Sequence, residues 1–100
     1  MNMVQTTLEP KTSAEIVPII WTYDDTDRVI AEARISVTTY SGTDPHPANI
    51  LVGSLIVSPH VMTQYIGGGL SGCMYKIICN YSMNDLSIYT NAVYIEVQDD

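Results

Sequence analysis

Residues 65–82 read YIGGGLSGCMYKIICNYS. Gly67, Gly68, Gly69 and Gly72 place four glycines within six positions, and a patterned apolar run comes next. A phosphate-cradling loop needs backbone N–H groups converging at a helix N-terminus, usually with a lysine after its last glycine. The residues beyond Gly72 alternate instead. Tyr75, Ile77, Cys79 and Tyr81 take one side, and Met74, Lys76, Ile78 and Asn80 the other. A period of two with one strongly apolar side is a strand. Lys76 falls inside that strand, too late for P-loop spacing, and no helix is present to complete a dinucleotide fingerprint. The glycines therefore read as a turn that permits positive φ and close backbone approach.

Working outward, the same period recurs. Ile16 to Tyr23, IVPIIWTY, is rich in β-formers, and its Pro18 places it at a sheet edge or a bulge. After the turn DDTD, Val29, Ala31, Ala33, Ile35 and Val37 alternate with Ile30, Glu32, Arg34, Ser36 and Thr38, so the first set is expected to face the core. SGTDPHP is a loop broken by Gly42, Pro45 and Pro47. Short strands are expected within Ile50–Val57 and over Val61–Ile66. Asn84-Asp85 suits a hairpin turn. In the last strand, Leu86 to Val97, apolar parity switches from Leu86 and Ile88 to Val93, Ile95 and Val97, which predicts a bulge near Asn91. No segment has helical periodicity. The expected fold is all-β: an antiparallel two-sheet immunoglobulin-like sandwich of six to seven strands over residues 15–100, preceded by an extended N-terminal arm over residues 1–14. In such sandwiches a tyrosine near the start of the penultimate strand bonds backwards across a corner, and Tyr75 is placed for that role with Gly68, Gly69 and Gly72. Trp21 is expected to be a core aromatic.

Composition sets the function classes. The chain has 100 residues, 46% hydrophobic and only 15% charged, so one domain with a real core is expected rather than a disordered or coiled-coil chain. Net charge is −7, with cations only at Lys11, Arg28, Arg34 and Lys76. That balance points away from nucleic acid and anionic membrane as partners. No apolar run approaches a membrane span, and the N-terminus lacks the basic and apolar regions of a secretory signal. Cys73 and Cys79 fall six residues apart on the expected strand, about 20 Å at strand rise, against the ~7 Å limit for a disulfide. Two free thiols fit assembly in a reducing cytoplasm.

Catalytic chemistry has no local signature. His46 and His60 lie beside prolines without metal-ligand spacing, and DDTD lacks the glycine and closing glutamate of a calcium loop. Cys73, His60 and Asp44 form a triad only on paper. The expectation is a non-enzymatic protein with no cofactor, metal or small-molecule substrate.

The order of motifs resembles a family of small structural proteins of tailed bacteriophages, the fibre–tail adaptors and tail-associated virion proteins. The likeness runs from Lys11 to Val97. It is carried by IWTYDDTDRVIAEARISV with Trp21, Asp27 and Ile30, by the glycine–aspartate–proline loop SGTDPHPANILVG, by Gly68, Gly69, Gly72 and Tyr75, and by a final strand ending at Ile95 and Val97. The sequence departs from the pattern at the last hairpin, where MND stands without a clear glycine, and in the cysteine-bearing GCMYKIIC. The resemblance implies no catalytic residues. It implies a virion protein joining tail, neck or baseplate components to fibres or neighbouring rings, in several copies of a symmetric assembly. Other virion subunits would be its partners, with Met3, Val4, Leu8 and Pro10 of the arm as the candidate interface. The alternatives are a capsid decoration protein and a carbohydrate-binding sandwich using Tyr23, Tyr40, Tyr65 and Tyr89 as exposed stacking rings.

Overall fold

A computed structural model describes residues 3–5, 8–24 and 27–99. Among them run β1 (Met3–Gln5), β2 (Ile16–Tyr23), β3 (Ile30–Ser41), β4 (Leu51–Val57), β5 (Val61–Gly67), β6 (Met74–Met83) and β7 (Ile88–Glu96), with a 3-10 turn at Pro47–Ile50. One sheet has the order β1-β2-β5-β4 and the other β3-β6-β7, and every pairing within them is antiparallel. That division, with strands one, two, five and four against three, six and seven, is the topology of a constant-type immunoglobulin sandwich.

Alternation builds the core between the sheets. Ile19, Trp21, Met62 and Ile66 from the first sheet meet Tyr75, Ile77, Cys79, Val93 and Ile95 from the second, and all are buried. The Trp21 indole N–H donates to Asn91 Oδ1 at 2.9 Å, a bond from β2 in one sheet to β7 in the other. Gln64 also points inward and is fully buried. Its amide nitrogen donates to the Tyr65, Gly53 and Val52 carbonyls, the last two where β4 leaves register with β5. The Cys79 thiol, pushed up to about 11 by burial, lies 3.8 Å from Met62 Sδ. Both cysteines are free and buried, but Cys73 sits just ahead of β6 rather than on it.

Several strand details differ from expectation. On β3 the register shifts between Ile30 and Glu32, which turns Ile30 into the core and Ala31 out to solvent. Ala33 and Ile35 pack half-buried against the core and Val37 is buried. The expected bulge near Asn91 is absent, because β6 and β7 pair in one register from Met74↔Glu96 to Ser82↔Ile88. The parity switch has another cause: Leu86 and Ile88 are apolar residues that face solvent, 86% and 75% exposed.

Leu86 also explains the missing hairpin glycine. Its φ is +73°, a left-handed conformation that glycine adopts without strain. The turn is closed by Leu86 N–H to the Met83 carbonyl (3.0 Å) and Met83 N–H to the Ser87 carbonyl (2.9 Å). The Asp85 carboxylate accepts from Ser87 N–H and hydroxyl and from Arg28. Leu86→Gly should therefore stabilise the protein by about 1 kcal/mol, since left-handed strain is larger than glycine's extra chain entropy. Urea denaturation measures it, and an unchanged or lowered midpoint would contradict the strain reading.

Candidate functional site

The glycine turn between β5 and β6 gathers distant parts of the chain at one end of the sandwich. Gly68, Gly69 and Gly72 all have positive φ, at 67°, 91° and 92°. Gly69 shows why no side chain is tolerated: a Cβ there would lie 2.9 Å from Val97 Cγ2 and 3.2 Å from the Tyr75 ring. Three N–H groups of this turn are used internally. Leu70 N–H donates to the Tyr75 hydroxyl (2.9 Å), Gly72 N–H to the Val97 carbonyl (2.8 Å), and Cys73 N–H to the Leu70 carbonyl (3.1 Å). They do not converge on a space for an anion.

Tyr75 makes the expected corner and reaches one step further. Fully buried, it accepts from Leu70 and donates to Asp44 Oδ2 at 2.6 Å, tying the β5–β6 corner to the loop between β3 and β4. Burial, reinforced by that carboxylate, pushes the phenol up to about 12. Asp44 also accepts from His46 N–H at 2.8 Å. These two bonds, the tyrosine's first, hold its carboxyl below the ordinary range. Asp44 was readable only as a loop residue before Pro45. The usable signal was that a buried corner hydroxyl, already accepting from the backbone, still needs an acceptor for its own proton.

Lys11 is the second residue that sequence reasoning missed. A lysine reads as exposed, yet this one is buried, its ammonium donating to the Thr12 and Gly68 carbonyls at 2.6 Å each. Burial lowers its pKa, while Glu15 and Asp99 act in the opposite direction. Its backbone forms a parallel bridge to Val97, with Lys11 N–H on the Glu96 carbonyl and Gln98 N–H on the Lys11 carbonyl. Ser13 N–H and hydroxyl donate to the Asp99 carboxylate at 2.7 and 2.8 Å. Lys11 to Ser13, in the stretch read as the arm, are thus tied to the end of the sandwich by backbone and side-chain bonds that carry no sequence periodicity.

Of the candidate interface residues, Leu8 packs half-buried against the core and Pro10 is exposed. Met3 and Val4 lie on β1, which pairs with Trp21–Tyr23 of the same chain. The middle of DDTD, residues 25 and 26, lies outside the described residues. No group of three His, Cys, Asp or Glu side chains among the described residues could hold a metal ion. The paper triad is not assembled. Asp44 and Cys73 lie near the glycine corner, whereas the His60 carbonyl accepts from Tyr23 N–H beyond the other end of β5.

The tyrosines of the sugar-binding alternative also scatter. Tyr23 is buried, edge-on to Tyr81 at 6.2 Å, with its hydroxyl accepting from Arg28 at 2.6 Å. Tyr89 stacks on Tyr81 at 5.5 Å beside the same guanidinium. Tyr40 stands against Tyr94 at 4.9 Å on β3 and β7, and Tyr65 lies on the opposite sheet.

Asp44→Asn and Tyr75→Phe test the corner. Tyr75→Phe leaves the Leu70 N–H and the carboxylate without their partner and should cost about 1–2 kcal/mol. Because folding lowers the Asp44 pKa, its contribution is full above the unfolded value of about 3.9 and is lost as pH falls through the lower folded value. The Tm gap between wild type and Asp44→Asn should be widest near neutrality and close in acid. A gap independent of pH would remove the carboxylate from the account.

The fold and this closed corner define a disulfide-free immunoglobulin-type module. No family model, curated protein or solved structure matches the chain.

Proposed function

We propose that this protein is a non-catalytic structural subunit of a bacteriophage virion, an adaptor joining tail, neck or baseplate components to fibres or neighbouring rings. The observation supporting this reading is the convergence of the motifs that carry the resemblance. The Gly42–Pro45 loop, the glycine turn, Tyr75 and the end of the last strand are far apart in sequence but meet at one end of the sandwich. Gly42 lies where a Cβ would meet Cys73 Sγ at 2.8 Å, Asp44 holds Tyr75, and Val97 packs over Gly69. Motifs spread along a chain that assemble into one structural unit behave as the signature of a fold family rather than of a reaction site.

The N-terminus supplies a means of assembly. Among the described residues β1 covers Met3–Gln5 and pairs with Trp21–Tyr23 of β2. A terminal edge strand can be exchanged for, or extended by, a neighbour's strand through main-chain hydrogen bonds. Deleting residues 1–7 spares Lys11 and its carbonyl partners, so the sandwich should fold with a near-native circular dichroism spectrum while failing to enter particles. Mass spectrometry of virions assembled with the truncated protein checks this. Normal incorporation and infectivity would exclude the segment from assembly.

A further inference from the structure

The two outer faces of the sandwich differ in a way that assigns one of them a partner. On the β3-β6-β7 face, Arg34 pairs across to Asn80, and Lys76 to Thr38 and Tyr94, so this surface carries two of the four cations beside exposed Tyr40, Ile88 and Tyr94. The other sheet is unlike it. β2, β4 and β5 contain no Asp, Glu, Lys or Arg at all. Cross-strand register puts Pro18, Tyr65 and Val52 in one outward row and Ile20, Thr63 and Ile56 in the next. Ile16, at the end of the same face, is 62% exposed and Ile56 57%, while Tyr65, Val52 and Ile20 are also exposed.

We infer that this uncharged face is the contact between two copies of this chain, packed sheet against sheet. Charge selects the occupant. A chain of net charge −7 repels its own copies wherever acids meet, and this face is where two copies approach without bringing any charge into the contact. Geometry selects the mode. The free edge of β4 loses register with β5 between Val52 and Ile56, where Gly53 has φ +73°, and such a bulge discourages edge-to-edge strand addition. Area sets the strength. Three strands about 4.8 Å apart and some seven residues long give a plan of about 14 by 20 Å. Pairing it covers about 280 Å² of plan on each copy, the small end of protein contacts. The dimer is therefore weak and reversible in solution. Glu15 borders one end of β2 and Asp24 the other, so acids at the rim oppose the contact and salt strengthens it. This inference does not depend on the virion reading.

Sedimentation equilibrium of the full chain from micromolar to millimolar concentration, at low and high salt, is the test. The wild type should show a monomer–dimer equilibrium that tightens with salt. Ile56→Lys and Tyr65→Lys should weaken it about tenfold or more, although each lowers the net negative charge and so relieves long-range repulsion. Ile88→Lys, on a still more exposed residue of the other sheet, should leave it unchanged. Circular dichroism confirms that each variant is folded, and Ile56→Ser is the milder second substitution if a lysine disturbs its strand. A wild type that stays monomeric at millimolar concentration would overturn the inference. So would a dimer indifferent to the Ile56 and Tyr65 variants, or one weakened equally by Ile88→Lys.

Discussion

Ile77→Asp should leave the chain unfolded at neutral pH. Ile77 is fully buried at the centre of the row Val37–Ile77–Val93, whose other members are also buried. It stands two residues after the corner tyrosine, where antibody domains carry the second cysteine of their inter-sheet disulfide. Here packing alone must hold the sheets together at that point. An unpaired carboxylate in this row costs about 3–5 kcal/mol, and losing the isoleucine's own packing adds about 2 kcal/mol or more. A domain of this size has about 5–15 kcal/mol in total. Loss of the far-UV strand signal and of any cooperative urea transition would confirm the expectation. A cooperative transition near the wild-type midpoint would mean that the sheets do not pack across Ile77.

Gly69→Ala should produce the second-largest loss, about 3 kcal/mol. Its φ of +91° is strained for any L-residue, at about 1–3 kcal/mol, and the added methyl meets Val97 and the Tyr75 ring, an overpacking cost of similar size. The neighbouring Gly68 separates the two effects. Its φ is also positive, but a Cβ there meets nothing within 4 Å, so Gly68→Ala should cost only about 1 kcal/mol of backbone strain. Comparing the two by urea denaturation measures the steric part directly. Equal losses would show that the corner closes by backbone conformation alone.

The legibility of each element in the sequence depended on how that element is specified. β2, β5 and β6 were legible because inward and outward residues differ in polarity, and the glycine turn ahead of Tyr75 marked the corner. The shift at Ala31 was not, since a bulge changes register without changing residue type. Leu86 and Ile88 misled for the opposite reason: pattern reading assigns apolar residues to the core, and these two face water. Lys11 was hidden because its burial depends on the carbonyls of Thr12 and Gly68, one of them far along the chain. Gln64 is a comparable case, a polar residue on an inward position whose amide serves the irregular part of β4. The acidic partner of Tyr75 lay in a loop whose composition announced only a turn.

The corner, the first strand and the uncharged face concern how the module is built and what it can touch. The virion reading concerns where it resides, and position on the particle is what defines such a function. On that reading the source is a phage, and electron cryomicroscopy of its intact particles is the most direct test. The account predicts an immunoglobulin-type sandwich in several symmetric copies at the tail, neck or baseplate, with residues 3–5 at a subunit boundary. Particles that are complete and infectious without this chain would contradict it, and density confined to the head lattice would replace the adaptor with a decoration protein.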